Sequence, residues 1–346
     1  NLPRVPVDDI AIHPRDNDLI LGTHGRSIWI LDSISALEQV TAKTASMDVE
    51  VFDPRPATLW KLARTRDFDG HDHFVGQNPP AGAILDVWFK AKPGEKDLKI
   101  NILDASGKVV RTVRPQNLEA GVNRIIWNLR ANRPVEPTQQ EIDNARRMAE
   151  AGGGNAEAML SGPFVDPGEY TVEVSVGAAK ASKKVVVEED PRITWFKPED
   201  RQARRAALND VSDMMREADR IRKKFTSVDA SLTALQTAWK KPDAARIPDT
   251  VKKLADDLRK KVDELKPLFT SRGFFQEPSP EERKAELAKP EPAFVLPPVP
   301  QRVSQLINAL ESLSAAPSPT QLAQVKLTRD ALTEASAKVE RLVHAD

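Results

Sequence analysis

LILGTHGRSIWILD, residues 19–32, decides how the N-terminal part of the chain is read. Leu19 to Leu21 has the composition of a β-strand. Gly22 and the His24-Gly25 pair mark a tight turn, and Ser27 to Leu31 makes a second strand that carries Trp29. One earlier strand is expected in VPVDDIAIHP (residues 5–14), where Val7, Ile10 and Ile12 are spaced by polar residues. Between the two, His13-Pro14-Arg15-Asp16-Asn17-Asp18 is a turn by composition. Two or three short strands do not form a stable sheet alone, so this piece belongs to a larger arrangement of strands.

The length of 346 residues is enough for two or three domains. Lys plus Arg equals Asp plus Glu at 51 each, which removes any electrostatic argument for nucleic acid or an anionic membrane surface. No apolar run approaches the length of a membrane-spanning helix. Cysteine is absent, which excludes disulfides, thiolate metal sites and a cysteine nucleophile without fixing the compartment. NLPRVPVDD at the start has neither a basic nor an apolar region of a secretion signal.

From residue 49 to about 190 the pattern is β-rich. Strands are expected at Val49 to Phe52, Ala83 to Phe89, Leu98 to Leu103, Val109 to Val113, Gly121 to Leu129, Gly168 to Val176 and Ala181 to Val187. DASGK, residues 104–108, is a hairpin turn between two alternating runs. Short strands at this spacing predict an immunoglobulin-like β-sandwich over 49–192. It is interrupted at 134–163 by a helical stretch (EIDNARRMAEA) and a flexible glycine-rich one (GGGNAEAMLSG). From 193 to 346 the pattern turns helical. Leu208, Val211, Met214, Met215, Ala218, Ile221 and Phe225 recur at helical spacing after the start signal Pro198-Glu199-Asp200. A shorter helix is expected over Ala230 to Lys240, and others over Ile247 to Phe269, Gln301 to Leu313 and Pro319 to Val343. A proline-rich connector at 278–300 is expected to be extended. Together the helices predict an antiparallel bundle.

The stretch VDDIAIHPRDNDLILGTHGRSIWILD resembles the last blade of large bacterial β-propeller proteins of the sortilin-like, BNR/YVTN-repeat class, often labelled glycosyl hydrolases. The residues that carry this are Ile12 to Asp16, Leu19, Gly22 to Arg26 and Ile28 to Asp32. FDPRPATLW (52–60), FVGQNPPAGAIL (74–85), the strand at 123–130, GPFVDPGEYTVEV (162–174) and EEDPR (188–192) are similar to segments C-terminal to that blade in the same family. The β-region also looks like the Ig-like domain of flagellar hook-capping proteins. The resemblance implies that residues 1–48 are a terminal propeller blade, that the other blades lie upstream or on another chain, and that residue 1 is not the start of the gene product. It also implies a secreted or periplasmic location.

The candidate ligand-binding residues are His24, Arg26 and Trp29, because propellers bind ligands at loops between strands. The same residues also suit a purely structural part, with Arg26 paired to an acidic neighbour such as Asp32 and Trp29 packed between blades. Asp69, His71, Asp72 and His73 are the one dense cluster of metal-capable side chains. The competing reading is a solvated loop. Asp8-Asp9 and Glu188-Glu189-Asp190 offer carboxylates, but nothing in the sequence orients a pair across a sugar. No nucleophile elbow, phosphate loop or dinucleotide fingerprint occurs.

The expectation is therefore a multidomain β plus α protein with no cofactor. It comprises a terminal blade, an Ig-like sandwich and a helical bundle. Its expected role is a non-catalytic extracytoplasmic binding or scaffolding portion of a propeller protein. The partners are missing blades or another protein chain, and a glycan is the candidate ligand. No nucleic acid and no membrane span are expected. Two alternatives stay open: an accessory region of a glycan-acting hydrolase, and a subunit of a larger extracellular assembly that uses the proline-rich arm.

Overall fold

The computed structural model describes residues 2, 4–61, 78–151, 156–240, 247–269, 284 and 297–344. These residues form a mixed β and α structure with three sheets and a helical C-terminal region. The chain divides into two compact units. One comprises 1–132 and 164–194, the other 133–163 and 195–346.

The first unit opens with an antiparallel three-stranded sheet of β1 (Val7–Ile12), β2 (Leu19–Thr23) and β3 (Ile28–Leu31). Two short helices come next, α1 (Ser35–Gln39) and α2 (Ala42–Ser46), the latter started by a reciprocal Thr41/Thr44 cap. The remaining strands are β4 (Val49–Val51), β5 (Ala57–Leu59), β6 (Ala83–Phe89), β7 (Leu98–Leu103), β8 (Val109–Val113), β9 (Gly121–Trp127), β10 (Gly168–Val176) and β11 (Ala179–Glu189). They make a five-stranded sheet in the order β5-β11-β10-β7-β8 and a three-stranded sheet in the order β4-β6-β9.

One apolar core lies between these two sheets. Val172 and Val174 of β10, Ile100 and Ile102 of β7, and Val185 and Val187 of β11 alternate inward from one side. Ala83, Leu85, Val87 and Phe89 of β6 do so from the other. Period-two burial is what a strand with one covered face requires. Trp127 of β9 sits in this core, with its ring 5.3 Å from that of Tyr170 in an edge-to-face contact, and the Tyr170 hydroxyl donates to the Asp166 carbonyl at 2.8 Å. Gly82 stands where the chain enters β6. A Cβ there would lie 2.2 Å from the Trp127 carbonyl oxygen, so only glycine fits.

Strand β5 is not announced by the sequence. It is three residues long, comes after Pro54-Arg55-Pro56, and exists because it pairs in parallel with the end of β11, Ala57 opposite Val187 and Leu59 opposite Glu189. The joint is closed by Asp190, whose carboxylate is fully buried. It accepts the backbone N–H of Lys61 (3.0 Å) and of Arg192 (3.0 Å) and is gripped by the Arg192 guanidinium at 2.8 and 2.5 Å. These bonds, the Arg192 side chain foremost, hold the Asp190 carboxyl far below the usual carboxylate range.

The second unit contains α3 (Gln139–Glu150), α4 (Ala156–Met159), α5 (Pro198–Trp239), α6 (Asp249–Leu265), α7 (Val299–Glu311) and α8 (Pro319–Val343). Residues 133–163, an interruption of the β-region in sequence, therefore group with the helices, and Val135 packs against the helical core. Helix α5 is continuous for 42 residues instead of ending before a separate short helix. No glycine or proline lies between Phe225 and Ala230, so nothing stops propagation there. Val211, Met214, Ile221 and Phe225 of α5 form the core with Val262 of α6, Val303 and Leu310 of α7, and Leu332 and Val339 of α8.

The helices are not all antiparallel. Asp229 and Gln236 of α5 meet Arg259 and Asp256 of α6 in descending order, so that pair is antiparallel. Along α5 and α8 the contacts Asp210–Arg329, Glu217–Ser336 and Lys224–Glu340 ascend together, so these helices run parallel. The reason is connectivity. Helix α7 lies antiparallel to α5 and is joined to α8 by a short turn, and reversing direction twice restores the original sense. Most of the proline-rich stretch 278–300 lies outside the described residues.

Two outcomes test this packing. Ile221→Ala, at a fully buried position, is expected to cost about 3 kcal/mol in chemical denaturation. Leu254→Ala, at an exposed one, is expected to cost less than about 0.5 kcal/mol. For Asp190, a folded pKa below the unfolded one means that the unfolded chain takes up the proton first. Its contribution is present above about pH 4 and is lost as pH falls below that. Asp190→Asn should thus destabilise at neutral pH and flatten the acid limb of the melting temperature against pH. An unchanged acid limb would count against the joint.

Candidate functional site

The features that differ most from an ordinary folded domain lie on β1–β3. Register fixes which residues share a face. Ile10, Leu21 and Trp29 stand in one row, and Ile12, Leu19 and Leu31 in the next. On the opposite face Ala11, Ile20 and Ile30 form a row beside Asp9, Gly22 and Ile28. Both faces are thus apolar. Ile10, Ile12, Ile28 and Ile30 are each more than half exposed, the highest being Ile28 at 68%. A half-buried strand normally alternates apolar with polar, whereas apolar residues on both faces mark a strand made to be covered on both sides.

Among the described residues, polar contacts hold the sheet at one end. Arg124 of β9 grips Asp86 of β6 at 3.0 and 3.3 Å, and donates to the carbonyls of Asp32 (2.5 Å) and Ser33 (2.8 Å) just after β3. Asp86 is buried, so the arginine answers a carboxylate that could not otherwise sit there. Arg55 donates to the Asp16 carbonyl at 2.8 Å and lies 3.6 Å from the Asp18 carboxylate, which itself accepts the Ser33 N–H at 2.8 Å. Asn17 adds bonds to Ser35 and Glu38. All of these grip the end of the sheet formed by the turn at residues 13–18 and the exit from β3.

The turn carrying His24 and Arg26 lies at the other end, beyond Thr23 of β2. It closes through Thr23, whose N–H and hydroxyl both donate to the Ser27 carbonyl, at 3.2 and 2.6 Å. Gly25 and Ser27 have positive φ, and glycine takes one of these positions without strain. His24 Nδ1 lies 3.1 Å from an Asp8 carboxylate oxygen. The Trp29 indole N–H donates to the Arg26 carbonyl at 3.0 Å. Arg26 is exposed and forms no ion pair among the described residues, so the expected partner Asp32 does not hold it. The structure therefore brings His24, Arg26 and Trp29 together at one tip, with Asp8 as a fourth member that the sequence groups only with Asp9. All the polar members are exposed, and such pairs are weak in water. The tip can bind by hydrogen bonds and charge, but it holds no nucleophile beside a base.

Asp69, His71, Asp72 and His73 lie outside the described residues. Among the described residues no group of three or more His, Asp or Glu is placed to hold a metal ion, and no helix is long and apolar enough to cross a membrane. In the helical unit a groove of about 480 Å³ runs along the seam of α5 and α8 past Met214, Glu217, Leu332 and Glu340. Its charges are engaged across or along the seam, Glu217 with Arg220 and Glu340 with Lys224, and it reads as a packing seam. Nothing in the sequence singles out Arg124 and Arg55. Their partners are distant in the chain, and the only signal is, for Arg124, an arginine on a strand otherwise destined for a core.

Replacing Arg124 by Met leaves Asp86 buried without its cation and removes the clasp on Asp32 and Ser33. It is expected to cost about 2–4 kcal/mol and to speed tryptic cleavage at Arg15 and Arg26 relative to the helical unit. Combining it with Asp86→Leu should recover part of the stability and none of the protection. No family model matches the chain, and no curated protein matches it either.

Proposed function

We propose that this chain is a non-catalytic binding and scaffolding portion of an extracytoplasmic protein, in which β1–β3 is one blade of a β-propeller whose neighbouring blades cover its two faces. The observation that carries this reading is the pair of exposed apolar faces on a sheet that, among the described residues, is anchored at its end. β-Branched residues on both faces suit packing against further sheets about 10 Å away. Each isoleucine so covered contributes about 2 kcal/mol. Ring closure would also remove the exposed edges of β1 and β3.

The Ig-like reading of the adjoining β-domain is supported by its two-sheet layout, by a buried tryptophan at its centre, and by Tyr170. The Tyr170 hydroxyl returns to a backbone carbonyl four residues upstream, as in the tyrosine corner of such domains. This domain holds the blade through Arg124 and Arg55 and serves as its brace. The extracytoplasmic location rests on the sequence resemblance.

The test is the state of the native protein, isolated with an antibody raised against α8. An intact mass well above 38.3 kDa, or a stoichiometric β-rich partner, is the expected result. A lone 38.3 kDa monomer that leaves Ile10 and Ile30 open to solvent would overturn the reading. In the recombinant chain, Ile10→Ser with Ile30→Ser should reduce dye binding and self-association while leaving the melting of the helices unchanged. The same chain should release no sugar from a panel of aryl glycosides, and steady turnover by clean protein would contradict the non-catalytic assignment.

A further inference from the structure

We infer that the corner formed by Arg15, Trp60 and Arg192 binds an acidic polysaccharide, a sugar chain bearing carboxylate or sulfate groups. Trp60, just after β5, is 42% exposed. The guanidinium carbons of Arg15 and Arg192 lie 5.7 and 5.6 Å from its ring centroid, within cation–π range. Exposed arginines usually sample many rotamers, but each of these two grips a carboxylate at two points. Arg15 holds the Asp16 carboxylate through Nε and Nη2, at 3.1 and 2.6 Å. Arg192 holds Asp190 in the same way, at 2.8 and 2.5 Å.

The asymmetry of burial gives the corner its character. The arginine side chains are 68% and 63% exposed, while the carboxylates that orient them are 25% and 0% exposed. Negative charge thus lies beneath and positive charge faces outward. In each guanidinium Nη1 makes no hydrogen bond among the described residues, which leaves two N–H donors on either side of one ring. Such pre-oriented forks suit carboxylate or sulfate oxygens. The exposed indole between them suits the C–H surface of a pyranose.

A second ring flanked by cations involves the next residue in the chain. Lys61, next in sequence to Trp60, places Nζ 5.6 Å from the Phe164 ring centroid, and Arg130 lies over the same ring at 3.7 Å. Two outward-facing guanidinium forks about one ring suit a chain with more than one anionic group better than a single small anion. A nucleic acid is disfavoured by the zero net charge of the chain. This assignment stands independently of the propeller reading, because it uses neither face of β1–β3.

The test is binding of the full chain to immobilised polygalacturonate, dextran sulfate, neutral dextran and oligothymidylate at low and high salt. The expected result is binding to both acidic polymers, lost at high salt, with none to dextran. Arg15→Gln and Trp60→Ala should each weaken it by about tenfold, and Arg15→Lys, which keeps the charge and loses the fork, should also weaken it. Arg341→Gln, an exposed arginine on α8 of the helical unit, should bind as the wild type does. The inference is overturned by no binding at low salt, by wild-type affinity in Arg15→Lys and Trp60→Ala proteins of unchanged melting temperature, by an equal loss in Arg341→Gln, or by oligothymidylate binding as tightly as the sugars. Should Trp60→Ala fail to fold, the Arg15 pair decides alone.

Discussion

An apolar sheet face has to be covered, and this requirement organises the first unit. The five-stranded and three-stranded sheets meet it by sharing one core, in which Val172, Ile102, Leu85 and Trp127 lose nearly all contact with water. The outer face of β4-β6-β9 meets it through the segment after β3, where Trp88 donates to the Met47 carbonyl at 3.1 Å and Ile34 and Ala36 are buried. Strands β1–β3 have two such faces and neither is covered within the described residues. Among the described residues that imbalance, and not any cluster of reactive groups, is the starting point for function.

Buried charge in this protein works as a fastener. Asp86 and Asp190 are deeply buried carboxylates of the β-domain, and each is gripped by one arginine that also reaches a backbone carbonyl elsewhere: Asp32 and Ser33 for Arg124, Lys61 for Arg192. A lone buried carboxylate would be costly, and the planar fork of arginine satisfies it while tying two distant segments together. The lowered pKa of Asp190 results from this grip and needs no catalytic explanation. The same device orients Arg192 toward solvent beside Trp60, so a structural joint and a binding surface share one residue.

The helical unit is explained by helix rules and connectivity. A capping box at Ser318 and Gln321 with Pro319 at the first turn starts α8, and a similar box at Thr138 and Glu141 starts α3. The parallel pairing of α5 with α8 arises because α7 intervenes between them in the chain. Salt links such as Lys224–Glu340 (2.5 Å) then trim the seam. Lys224 holds the Glu340 carboxyl below its usual range, an exposed effect that salt screens.

The sequence by itself determined the elements whose periodicity is strong. Ala83–Phe89, Leu98–Leu103, Val109–Val113, Gly168–Val176 and Pro319–Val343 occupy the residues their patterns predict, because alternation and helical spacing are local properties of a strand or helix. It placed β1–β3 correctly for the same reason. Only tertiary structure decided the rest. Strand β5 exists through its pairing with β11, α5 continues because nothing breaks it and a core receives it, and residues 133–163 join the helices across the chain. The surroundings of Arg26, Arg124 and Arg192 were equally out of reach. A long arginine side chain finds a carboxylate by proximity in space, and proximity between residues such as Arg15, Trp60 and Arg192 is created by folding and carries no mark in the local sequence.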